Sequence, residues 1–219
     1  MTHLEEILNQ QDRQAELLLQ NQITDAGSPD CGAFIGPGHH TDTRMCGFAF
    51  SQLAICYLTP ASRHYHGKAV RAALERGLAY LRSHQRPGGC LDLSSCNFDS
   101  APDTAFTMNS VISAWWLLEK DGAEESAWLR EPVKQLIEAC CEGVMNGGFH
   151  TPNHRWAIAA CLKHAARICG REDFSRRADV YLGEGLDIDG EGEFAERSAG
   201  NYNQVNDDQM IRLYLATGD

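Results

Sequence analysis

The chain has no excess of positive charge, no long apolar run and no C-x-x-C pair, and each absence removes a class of protein. Lysine and arginine number 19 against 30 aspartates and glutamates, a formal net charge of −11. Nucleic acids and anionic membranes recruit basic surfaces, so neither is an expected partner. No stretch is long and apolar enough to span a bilayer. The start, Met-Thr-His-Leu-Glu-Glu, lacks the basic and apolar regions of a secretory signal, and a cytoplasmic location is expected. The nine cysteines show no paired spacing, and several fall inside apolar helical runs, which makes them small, reduced core residues. There is no P-loop, no G-x-S-x-G and no strand before Gly190-Glu191-Gly192, so nucleotide and serine-hydrolase chemistry has no motif behind it. No cofactor is expected.

What is present is helix. Hydrophobic residues make up 43% of the 219 and charged residues 22%, enough for a single domain over 1–219 with a substantial core. Apolar residues recur at helical spacing, as in Val111, Ala114, Trp115 and Leu118, and no convincing strand appears. The predicted helices are of two kinds. Amphipathic, charged ones fall near 2–22, 67–84, 124–142 and 172–185; nearly all-apolar ones fall near 43–58, 103–119 and 152–169. A helix apolar all round must be covered on every side, whereas one with a charged face lies outside. With a last inner helix near 204–217, the alternation predicts an all-α, double-layered α/α toroid or solenoid of about four helical hairpins.

The connections alternate too. Links from inner to outer helices are short, while those from outer to inner, 23–42, 85–102, 143–151 and 186–203, are long and rich in Gly, Asp, Asn and His. They are expected to share one face with the N-termini of the inner helices, where aligned peptide dipoles favour anions. His39, His40, Arg44, Arg86, His150, His154, Arg155 and Arg197 in or beside these loops would make that cleft locally positive.

Two segments carry the candidate chemistry. Gly147-Gly148-Phe149-His150-Thr151-Pro152-Asn153-His154-Arg155-Trp156 sets an amide beside an imidazole in the first turn of an inner helix. Glu196-Arg197-Ser198-Ala199-Gly200-Asn201-Tyr202-Asn203 leads into the next. Together they resemble the toroid domain of the heparinase II/III-like and alginate-lyase families, polysaccharide lyases acting on uronic-acid polymers. The resemblance implies an acidic polysaccharide or oligosaccharide as partner and Asn153, His154 and Tyr202 as catalytic residues. It also implies that this chain matches the N-terminal portion of larger lyases, which close a longer toroid and add a C-terminal β-sandwich.

β-Elimination removes a weakly acidic proton α to a carboxylate, so donors must stabilise the dianion that develops. Asn153, His154 and the helix start suit that task. Tyr202 would serve as base, as acid to the leaving oxygen, or as both, and His154 would be the base for the other epimer. Arg155 and Arg197 would pair with substrate carboxylates, and His150, Trp156 and Asn203 would line subsites. Packing and ion pairing compete for several of these: Trp156 begins an apolar run, and Arg197 has Glu196 and Glu193 beside it.

Three other readings stay open. Asp99 or Asp103 with Glu196 would suit a glycoside hydrolase, although Asp103 also fits a helix N-cap. A non-catalytic helical scaffold that binds glycan or protein is the second. Asp187-Ile188-Asp189-Gly190-Glu191-Gly192-Glu193 is similar to half a calcium loop, but Ser198 stands where a bidentate glutamate belongs. His39-His40 lack further ligands, and no metal is expected. Exposed flanks of inner helices would allow pairing with another copy, a homo-oligomer.

Overall fold

A computed structural model describes residues 2–36, 38–197 and 200–218. They form helices α1 (His3–Gln20), α2 (Thr43–Leu58), α3 (Lys68–Ser83), α4 (Ala101–Lys120), α5 (Glu124–Asn146), α6 (Pro152–Cys169), α7 (Glu172–Leu182) and α8 (Tyr202–Thr217). A small hairpin, β1 (Leu91–Leu93) with β2 (Asn97–Ser100), precedes α4. The protein is mostly helical, as the apolar spacing requires.

Local chemistry sets the helix starts. Thr2 and Glu5 form a reciprocal capping box on α1, and Asp42 accepts the Met45 N–H at 2.6 Å to open α2. Ser100, not Asp103, caps α4, accepting the Asp103 N–H at 3.3 Å. Asp103 stands in the first turn, where its charge suits the positive end of the helix. At the other end of α6, Gly170 takes a left-handed φ of 72° and closes the helix.

α2, α4, α6 and α8 pack side by side in that order, with α1 and α3 behind α2, α5 behind α4 and α6, and α7 behind α6. The row is parallel. Asn109 donates to the Ala157 carbonyl and to Gln209, and His164 meets the Arg212 carbonyl, so equal levels of α4, α6 and α8 face one another. All four N-termini therefore open at one end. The long loops gather there: Thr43 donates to the Asp92 carbonyl, Ser94 donates to the Thr41 carbonyl, and Arg155 reaches Gly185.

The core runs through α2, α4 and α6. From Trp156 to Leu162 every side chain of α6 is buried, as an inner helix demands. α8 differs from the expected inner helix. Its buried residues are Asn206, Gln209 and Leu213, while Ile211, Tyr214 and Leu215 are exposed. It packs on α6 and α4 from one side, using a polar face.

The expectation of no strand is corrected by the hairpin. Segments of three and four residues are too short to show alternation, and side chains hold this one together. The Asp92 carboxylate binds Arg86 and accepts the Asp99 N–H at 2.7 Å, with Asp99 at a φ of 51°. The cysteines are free thiols, and Cys46, Cys56, Cys90, Cys140, Cys141 and Cys161 are buried. Burial pushes Cys56 and Cys90 up to about 11, which keeps them protonated. Cys96 departs from the expected pattern and is exposed.

Candidate functional site

The site is organised around the start of α6. The Gly147-Gly148 loop passes tightly over α4: a Cβ on Gly147 would lie 2.2 Å from the Ala101 Cβ. The Gly147 carbonyl accepts the Tyr181 hydroxyl at 2.9 Å, and Phe149 meets the Tyr181 ring edge-on. α7 thereby fixes the loop from the other side. Thr151 is the N-cap residue but makes no side-chain cap, and Pro152 has no N–H to offer. The first free amide is that of Asn153.

That amide and the Asn153 side chain do grip a carboxylate, and it belongs to Glu196. The Asn153 N–H donates to Oε2 at 2.8 Å and Nδ2 donates to Oε1 at 2.7 Å, with Asn153 only 3% exposed. A helix start plus an amide is a sound anion cradle. Its occupant comes from the chain's own 186–203 loop.

His154 follows on the outer side of the turn. It is half-buried, with its ring edge-on to Phe106 at 6.0 Å and to His150 at 6.4 Å. Nδ1 is buried without a hydrogen-bond partner. Burial lowers the pKa from its ordinary value; Asp103 and Glu196 oppose the shift, while His150 and Arg44 add to it. The imidazole is thus kept in its basic, neutral form at neutral pH. Tyr202 opens α8 at the same end of the helical row and is 45% exposed. Among the described residues no hydrogen bond joins it to His154. Asn203 and His150 are exposed beside these two.

The other expected substrate contacts have partners within the chain. The Arg155 side chain is 5% exposed and bonds Glu184 at 3.0 Å, the Gly185 carbonyl at 2.6 Å and Asp187. It clamps the turn after α7. Trp156 is fully buried against Phe194, 5.3 Å between rings. Arg197 pairs at 2.9 Å with Asp189, not with Glu193 or Glu196, and stays largely exposed. The Asp187-Asp189 loop spends its carboxylates internally: Asp187 on Arg155, Asp189 on Arg197 and on the Glu191 and Glu193 N–H groups. Ser198, the twelfth position of that loop, lies outside the described residues. Among the described residues no three His, Cys, Asp or Glu side chains converge as for a metal ion.

The rival carboxylates separate. Asp99 sits in the exposed hairpin, whereas Asp103 is buried, accepting Ser100 Oγ at 2.7 Å and Asn97 Nδ2 at 3.0 Å. Asp103 and Glu196 both act on the His154 charge, which brings them to one imidazole.

Beside this cluster lies a cavity of about 600 Å³ between α2, α4 and α8 that spacing did not indicate. Arg44, Phe48, Phe106, Asn109, Asp208 and Arg212 are among its walls. The available signal was Asn109, a lone amide in the apolar run of α4. No family model, curated protein or solved structure matches this chain.

Proposed function

We propose that this chain is a polysaccharide-lyase-type protein that cleaves a uronic-acid-containing glycan by β-elimination, its helical row being an open portion of a double-layered α/α toroid. The observation that carries the reading is the carboxylate held by the Asn153 amide and the α6 N-terminus, one residue from a neutral imidazole. A substrate carboxylate exchanging with Glu196 would find the same donors. As the C5 proton leaves for His154 or Tyr202, its electron pair forms the C4–C5 double bond and the C4–O bond breaks. Tyr202 protonates the departing oxygen where His154 is the base. A cytoplasmic setting and acidic oligosaccharides as substrates belong to this reading.

The proximity of Asp103 and Glu196 to His154 favours a second reading, glycoside hydrolysis by paired carboxylates. The two reactions differ in product. Incubation with a panel of polyuronates is expected to yield ultraviolet-absorbing unsaturated uronates, with His154→Ala and Tyr202→Phe each slowing release by about 100-fold or more. Saturated reducing ends would instead establish hydrolysis. Binding without any cleavage would leave a glycan-binding scaffold.

A further inference from the structure

The cavity between α2, α4 and α8 combines features that neither the core nor the Asn153 cradle needs. Arg44 stands at its edge with its guanidinium 4.8 Å over the Phe106 ring, and among the described residues it makes no hydrogen bond. Its one carboxylate contact is an ion pair with Asp103 Oδ1 at 3.7 Å, longer than a hydrogen bond, while Ser100 and Asn97 donate to Asp103 Oδ2. The other guanidinium of the cavity is committed. Arg212 bonds Asp208 at 2.8 Å, the Asn109 carbonyl at 2.7 Å and Ser113 at 2.9 Å. Asn109, 2% exposed, gives both its N–H donors to Ala157 and Gln209, and its Oδ1 has no donor. Phe48 and Phe106 are among its walls, with Asp42 and Asp208 as its carboxylates.

We infer that this cavity is a binding subsite for an acidic monosaccharide unit, with Arg44 as its carboxylate-recognising residue. The inference rests on the reading of the cleft as a uronate site. A guanidinium with donors to spare takes a carboxylate bidentately, an aromatic side chain packs against a sugar ring, and the Asp208 carboxylate accepts its hydroxyls. The volume falls within the roughly 300–1,000 Å³ common to small-ligand sites. Phe106 is shared with His154, at 6.0 Å, so a sugar here adjoins the reacting unit. Specificity for acid over neutral sugar is then set on α2, away from the reacting groups.

The test is calorimetric titration of the full chain with D-glucuronate and with D-glucose. Wild type is expected to bind glucuronate more tightly than glucose, and Arg44→Ala to weaken glucuronate by about tenfold or more with no effect on glucose. Arg44→Lys should recover part of the loss, since charge returns without the planar fork. Arg44 is half exposed and its contacts are one 3.7 Å ion pair with Asp103 and the Phe106 ring, so these variants are expected to keep the fold, which circular dichroism checks. Glucuronate binding absent from wild type, or equal in Arg44→Ala, overturns the subsite. The two claims fail separately. Arg44-dependent glucuronate binding without unsaturated product sinks the lyase reading alone; unsaturated product at unchanged KM in Arg44→Ala sinks the subsite alone.

Discussion

At the scale of single residues, the contact between Asn153 and Glu196 matters most, because it shows what the start of α6 can hold. Two charge-assisted hydrogen bonds satisfy a helix-terminal amide and a buried side chain at once. Glu196→Ala leaves both donors without this partner and is expected to cost about 1–2 kcal/mol in urea unfolding, with Glu196→Gln costing less. An unchanged midpoint in Glu196→Ala would mean that the contact contributes nothing to the fold. Asn153 and His154 were legible because Pro152 and the glycines mark a helix start. The burial of Trp156 was legible too, from the apolar run it begins, whereas the inward turn of Arg155 was not, because each helical residue turns the side chain by roughly 100° and neighbours in a motif soon face the core. Which of them turns inward depends on where α7 and the 184–187 turn pack, and spacing does not encode that.

At the scale of elements, the helices run nearly where the apolar period places them, since burial on one face or on all faces leaves its mark on sequence. The contact between α2 and α4 is tighter than periodicity reveals. A Cβ at Gly47 would lie 2.5 Å from Thr107 Cγ2. Alanine for glycine inside a helix ordinarily gains up to about 1 kcal/mol, but here overpacking wins and Gly47→Ala is expected to lose about 1–3 kcal/mol. Adding Thr107→Ser removes the clashing methyl and keeps the hydroxyl bond to the Asp103 carbonyl at 2.8 Å, so the double variant should recover part of that loss in the same denaturation assay. For α8 the period gave a helix but the wrong surroundings. Its sequence carries apolar residues on the face opposite to the one that docks, and bonds from Asn109, His164 and Arg167 to α8, with those of Gln209 and Arg212, help fix which face turns in.

At the scale of the whole molecule, stability against acid follows from the interior of the helical row. His164 is 2% exposed between α6 and α8, and burial lowers its pKa from 6.5 to about 4, only partly offset by its bond to the Arg212 carbonyl. Its folded pKa is the lower one, so the unfolded chain binds more protons between those values. The contribution is intact above about pH 6.5 and is lost as pH falls towards about 4. Between these limits the unfolding free energy should fall on the order of 2–3 kcal/mol from this group. His154, shifted the same way, adds to the slope. His164→Gln should flatten the urea midpoint against pH; an equally steep profile in that variant would place the acid sensitivity elsewhere.

The sequence by itself determined that the chain is helical, that α2, α4 and α6 are enclosed, nearly where each helix begins and that the long loops meet at one end. Those properties follow from hydrophobic period and capping chemistry, which act over a few residues. Tertiary structure alone decided that Glu196 fills the Asn153 cradle, that Arg155 is interior, that Arg44 meets only Asp103 and the Phe106 ring and that a cavity opens beside α8. Each depends on side chains dozens of residues apart meeting at ångström distances, and pairing of that kind leaves no periodic trace along the chain.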